Sequence, residues 1–134
     1  MESPTIARAQ VQEVAPYFLV PDVFATAEYY RDVLGFSFDK FFGEPPSFVI
    51  VRRDKVRIML KQAGGAHPQA PNPRSEGQAD AGFWITDAHA LAAEFETRGA
   101  DLLLKPTDRT IYNGREVAVR DCDGRVLLFT QLLD

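Results

Sequence analysis

Apolar positions along the chain first alternate with a period of two and then recur with a period near 3.6, and they do so twice. In the run APYFLV, Phe18 and Val20 face one side of a strand and Ala15, Tyr17 and Leu19 the other. Pro16 has no backbone donor, which puts this strand at a sheet edge or on a local irregularity. Asp22 follows a proline and caps a helix over 23–34. Ala27, Tyr30 and Leu34 share one face of that helix, while Glu28, Arg31 and Asp32 lie mostly on the other. Gly35 supplies a left-handed stop. Strands are then expected over 36–42, 47–52 and 57–61, the last after a turn at Asp54-Lys55.

The same outline returns at ADAGFWITDAHALAAEFETRGA, with Asp87 in the place of Asp22 and Gly99 in the place of Gly35. Phe83 and Ile85 match Phe18 and Val20, so Asp80, Gly82, Trp84 and Thr86 share the opposite face. A helix is expected over 88–98, with Leu91 and Phe95 turned inward. Strands follow over 101–105, 115–120 and 125–132, and the Asp121-Cys122-Asp123-Gly124 turn joins the last two. Each half therefore reads β-α-β-β-β. Module one covers about 11–62 and module two about 79–134 within a single domain, with a proline- and glycine-rich linker at 63–78 and an N-terminal arm before the first strand. Repeats of roughly 60 residues are marginal alone, so the two should share a core or pair with another chain.

Composition narrows the function. The net charge of -4 argues against a nucleic-acid partner. No apolar run reaches the length of a membrane span. The single cysteine, Cys122, excludes an intrachain disulfide framework and points to a reducing, cytoplasmic setting. Phosphate-loop, dinucleotide, nucleophile-elbow and CxxC motifs are absent, and the two histidines, His67 and His89, have no second ligand at metal spacing.

The segment PYFLVPDVFATAEYYRDVLGF resembles the opening module of the vicinal oxygen chelate superfamily, which includes glyoxalase I, bleomycin resistance proteins and extradiol dioxygenases. YNGREVAVRDCDGRVLLFTQ resembles its closing strands. The resemblance implies an α+β fold of two βαβββ modules that form a half-open barrel, with the helices outside, a concave cup inside, and frequent homodimers. Metal-dependent members carry His or Glu at positions matching Ala15, about Met59, Asp80 and Leu128. Ala15 and Leu128 have no donor atom and Met59 is a soft, weak one; Asp80 alone is a plausible ligand. No metal and no cofactor are therefore expected, nor glyoxalase I or extradiol dioxygenase activity, both of which the resemblance ties to a divalent ion.

Strand parity gives the cup an apolar, aromatic lining, which suits a small-molecule pocket. The first, fourth, fifth and last strands supply Tyr17 and Leu19, Met59, Trp84, and Leu128. Tyr17 and Trp84 are read as equivalent places in the two repeats, flanking a flat ligand, with core packing as the alternative. Tyr112, Arg115 and Glu116, from the YxGRE stretch, form a second cluster near the pocket rim in similar sequences. Arg115 is suited to fork a carboxylate or phosphate, and Glu116 to meet a cation or act as a base; the alternative is a structural Arg-Glu pair. Cys122, between Asp121 and Asp123, is a poor candidate for a catalytic thiol.

These readings converge on a metal-free binder of the bleomycin-resistance type, holding an apolar or aromatic ligand, such as an antibiotic, in the cup of a homodimer. The alternatives are a lyase, isomerase or dioxygenase with an unconventional metal site at Asp80 and Glu116 or with either carboxylate as base, and a module with a protein partner and a collapsed cup.

Overall fold

The computed structural model describes residues 5–64 and 78–134. β1 (Tyr17–Val20), α1 (Val23–Asp32), β2 (Phe41–Phe42), β3 (Phe48–Arg53) and β4 (Val56–Gln62) make the first module. β5 (Ala81–Trp84), α2 (Ala88–Arg98), β6 (Asp101–Arg109), β7 (Gly114–Arg120) and β8 (Val126–Leu132) make the second. The expected βαβββ order is present in both. The two sheets run β1-β4-β3-β2 and β5-β8-β7-β6. In each, the first strand pairs in parallel with the last, which the intervening helix permits, and the other pairings are antiparallel. β1 lies at an edge, as Pro16 requires. Most of the expected linker, His67 included, lies outside the described residues.

Both helices start by the same device. The Asp22 carboxylate accepts from the amides of Phe24 and Ala25, at 3.1 and 3.2 Å. Asp87 accepts from Ala90 at 3.0 Å. A glutamine on the neighbouring strand completes each cap: Gln62 Oε1 accepts from Val23 N at 2.9 Å, and Gln131 Oε1 from Ala88 N at 2.8 Å. These bonds satisfy first-turn amides that the helix itself cannot use. α1 ends at Asp32, a little before the expected Leu34; the Phe36 amide then closes onto Tyr30 O around left-handed Gly35, φ 77°.

One side of each sheet packs on its helix. Phe18, Val20, Val49, Val51, Ile58 and Leu60 lie under α1, whose Val23, Ala27 and Tyr30 are fully buried, as is Leu34 just beyond it. Phe83, Val117, Val119, Leu127 and Phe129 lie under α2 with Ala88, Ala92 and Phe95. The two halves form one continuous core, as their size demands. Leu91, expected inward, is only half-buried because it borders a cavity.

Two strands differ from expectation. Of 36–42 only Phe41 and Phe42 join the ladder, with a lone bridge from Ser37 to Arg52. Phe41 instead packs on Phe24 of α1 (centroids 4.5 Å apart) and on Phe38 (5.4 Å), which draws this segment off the sheet. β6 runs on to Arg109, with two register shifts on either side of Leu104 that accommodate Pro106 on an edge strand.

Each helix also grips the hairpin tip of the other module. From α1, Tyr30 Oη donates to Asp121 Oδ2 and Thr26 Oγ1 to Asp123 Oδ2, both at 2.6 Å. At the other junction Arg53 forks Glu94 of α2 at 2.6 and 2.8 Å.

Candidate functional site

Because strand side chains alternate, burying one face of each sheet under its helix turns the other set out to an inner face. On β1 these are Tyr17 and Leu19, 54% and 42% exposed. Tyr17 lies beside Met59, which lies beside Ile50. Leu19 lies beside Lys61, then Phe48, then Phe42. The Tyr17 and Phe48 rings are 6.3 Å apart, and those of Phe42 and Phe48 6.1 Å. Lys61 Nζ donates to Ser47 Oγ at 3.2 Å, so the one cation in this row is directed to a hydroxyl. The parity read from the sequence therefore holds on β1, β4, β5 and β8.

The second module's inner face is more polar and more closed. Trp84 lies beside Thr130, then Glu116, then Thr107, and Gly82 lies beside Leu128 and Ala118. Glu116 and Thr130 are buried, at 8% and 7% exposure. Arg109, which sequence reasoning missed, donates from Nε to Glu116 Oε1 at 2.8 Å. The Tyr112 ring lies so close over Gly114 that a Cβ there would meet it at 2.6 Å and Thr130 Cγ2 at 3.0 Å. Only glycine permits that approach.

Two groupings need correction. Arg115 does not join Tyr112 and Glu116. Neighbours on a strand point to opposite faces, and Arg115 shares the helix-facing side of β7 with Val117 and Val119. There it forks Asp108 at 2.6 and 3.1 Å, and that hydrogen bonding holds the Asp108 carboxyl below its usual range. Nor are Tyr17 and Trp84 equivalent. The two pairings Tyr17 with Met59 and Gly82 with Leu128 correspond, and Trp84 takes the place of Leu19. Trp84, 73% exposed on edge strand β5, also borders a cavity between α2 and the β3–β4 tip.

Ala15 and Leu128 bring no donor, and Asp80 Oδ2 accepts from Val126 N at 2.9 Å. Among the described residues no three of His, Cys, Asp and Glu gather into a group able to hold an ion. The residues present do not fit one. Cys122 is equally unsuited to nucleophilic work: its Sγ lies 3.9 Å from Thr26 Oγ1, and burial, then Asp123 and Asp121, push the thiol up to about 12. No helix among the described residues is long and apolar enough to cross a membrane.

Comparison with known proteins agrees with this architecture. A family model for the glyoxalase/bleomycin resistance protein/dioxygenase superfamily matches residues 10–129. TioX from Micromonospora sp. ML1 is similar in structure, with a TM-score of 0.71 at 17% identity over 92% of this chain and 100% of that one. A glyoxalase/bleomycin resistance protein/dioxygenase from Alicyclobacillus acidocaldarius has a TM-score of 0.75 at 13% identity over 92% of both chains. One from Nocardioides has a TM-score of 0.69 at 17% identity over 97% of this chain and 87% of that one. At such identities the likeness is one of fold. No curated protein matches the chain. With its two βαβββ modules and the family model spanning nearly its whole length, the chain belongs to the glyoxalase/bleomycin resistance protein/dioxygenase superfamily.

Proposed function

We propose that the chain is a metal-free small-molecule binding protein that holds an apolar or aromatic ligand against the inner faces of its sheets and acts by sequestration. An aromatic antibiotic has the right chemistry. The observation that carries the reading is the patch formed by Tyr17, Leu19, Met59 and Phe48 on two adjacent cross-strand rows. Their side chains are turned away from the core, and Tyr17 and Leu19 are half-exposed. Apolar surface grouped in this way favours a flat apolar partner. Leu128 continues the lining in the second module, and Tyr112 stands at its edge.

Pairing of Glu116 with Arg109 supports binding over turnover, since the carboxylate that a reaction would need already accepts a guanidinium hydrogen bond within the protein. The working form is a cytoplasmic homodimer, whose second copy would shelter part of the exposed inner face.

A thermal-shift screen with a panel of aromatic antibiotics tests the proposal, followed by calorimetry of the best hit on wild type and Tyr17→Ala. The variant should keep its stability and bind roughly tenfold more weakly, as the loss of one aromatic contact implies. Unchanged affinity in the variant, a panel with no hit, or chemical conversion of the bound compound would overturn it.

A further inference from the structure

The two modules share one element order and one strand pairing scheme, and one difference between them falls at the junctions. Gln62 and Gln131 cap their helices identically, so counting back along β4 and β8 sets Val56 in the place of Arg125. Arg125 is buried at the junction between the modules. Its guanidinium lies over the Phe18 ring, 4.8 Å from the centroid, and Nη2 donates to Leu19 O at 2.6 Å. Arg125 thus fills the gap between the start of β8 and the free side of β1.

At the matching junction valine is too short to do this, and a cavity of about 600 Å³ opens. It is lined by Val56, Phe83, Leu91, Phe95 and Phe129, with Trp84 at its border. Its volume falls in the range of small-molecule sites, roughly 300–1,000 Å³. Phe83 corresponds to Phe18, and Trp84 to Leu19. The Ile85 amide donates to Thr130 O on β8. Alternation then turns the Trp84 carbonyl away from β8, as the Leu19 carbonyl is turned away from β4 toward Arg125. Asp54, Asp87 and Glu94 stand around the cavity with Arg53 and Lys55; Arg53 forks Glu94 and lies 6.0 Å from the centroid of the Phe95 ring, so one wall of the cavity already carries a guanidinium, while Asp54 and Asp87 stand at its rim.

We propose that this junction cavity is a second binding site, distinct from the inner face, for a small organic cation: an amidinium, guanidinium or amine carried on an aromatic body. The cation takes the position that Arg125 takes at the other junction, over the Phe83 ring and against the Trp84 carbonyl. The aromatic body packs on Leu91, Phe95 and Phe129. Aromatic faces and a carbonyl oxygen are the partners a weakly hydrated guanidinium-like ion prefers.

The test is a titration of ¹⁵N-labelled protein with benzamidine, using neutral benzamide as its isostere. Amide shifts should concentrate at residues 53–56, 83–87 and 90–95, and benzamide should bind at least tenfold more weakly. Val56→Arg, which restores the missing arginine, should abolish the benzamidine response. Ala90→Trp, which narrows the cavity from an exposed position, should weaken it at least tenfold. The wild-type titration decides even if a variant fails to fold. No response at millimolar benzamidine, an equal response to benzamide, shifts centred on Tyr17 and Met59, or a folded Val56→Arg variant that still binds would overturn the proposal.

Discussion

Tyr30 lies fully buried in α1, and its hydroxyl is the polar centre of one junction between the modules. Burial, then the charge of Asp121, raises its ionisation well above the ordinary tyrosine value. Burial likewise pushes Tyr29 up to about 12. The folded state therefore holds these protons more tightly than the unfolded chain, whose tyrosines ionise near 10. Their contribution is complete below pH 10 and should be lost as pH rises toward 12. Denaturant midpoints across that range should fall, and less steeply in Tyr29→Phe. Tyr30→Phe leaves the buried Asp121 carboxylate without its hydroxyl donor and should cost about 1–3 kcal/mol at neutral pH by urea unfolding. An unchanged midpoint would show that water replaces the hydroxyl. At Cys122 the raised thiol predicts alkylation by iodoacetamide at pH 8 that is at least tenfold slower than for free cysteine. A rate equal to that of free cysteine would contradict this.

At the level of elements, helix starts were legible because Asp22 and Asp87 announce themselves in sequence, each following a strand and preceding apolar positions at helical spacing. Their partners Gln62 and Gln131 were not, since each sits far along the chain from the helix it caps. Gln131→Ala should free the first amide of α2 and destabilise by about 1 kcal/mol, read from the urea midpoint. An effect confined to helix fraying, with no shift in the global transition, would mean that Asp87 suffices. The strand at 36–42 was misjudged for a related reason. Phenylalanine suits a strand and an aromatic cluster equally, and the nearness of Phe24 on α1 decided for the cluster.

For the molecule as a whole, the reciprocal grip of helices on hairpin tips joins two halves that are too small to stand alone. Glu94 is the acidic partner at one of these junctions, and hydrogen bonding from Arg53 lowers its ionisation. A carboxylate held low in the folded state contributes stability above its unfolded value and loses it as pH falls. Glu94→Gln should therefore cost about 1 kcal/mol at neutral pH, and this difference from wild type should shrink below about pH 4.5. A difference that stays constant with pH would mean that the charge is irrelevant. Purified protein incubated with nickel, zinc, iron(II) or manganese should retain no stoichiometric ion by elemental analysis, because Ala15 and Leu128 offer no donor. One ion per chain would return Asp80 and Glu116 to the centre of the chemistry.

The sequence by itself determined the two-module architecture, the helix starts, and which side of β1, β4, β5 and β8 faces outward. All of these follow from local periodicity and from residues whose preferences act within a turn or a strand. The tertiary structure alone decided that Arg109 is the partner of Glu116 and that Asp108 is the partner of Arg115. These depend on pairing register and on contacts between neighbouring strands, which no local pattern encodes. It also decided that Arg125 fills one junction while valine leaves the other open. That contrast exists only once two distant hairpins are set against two helices.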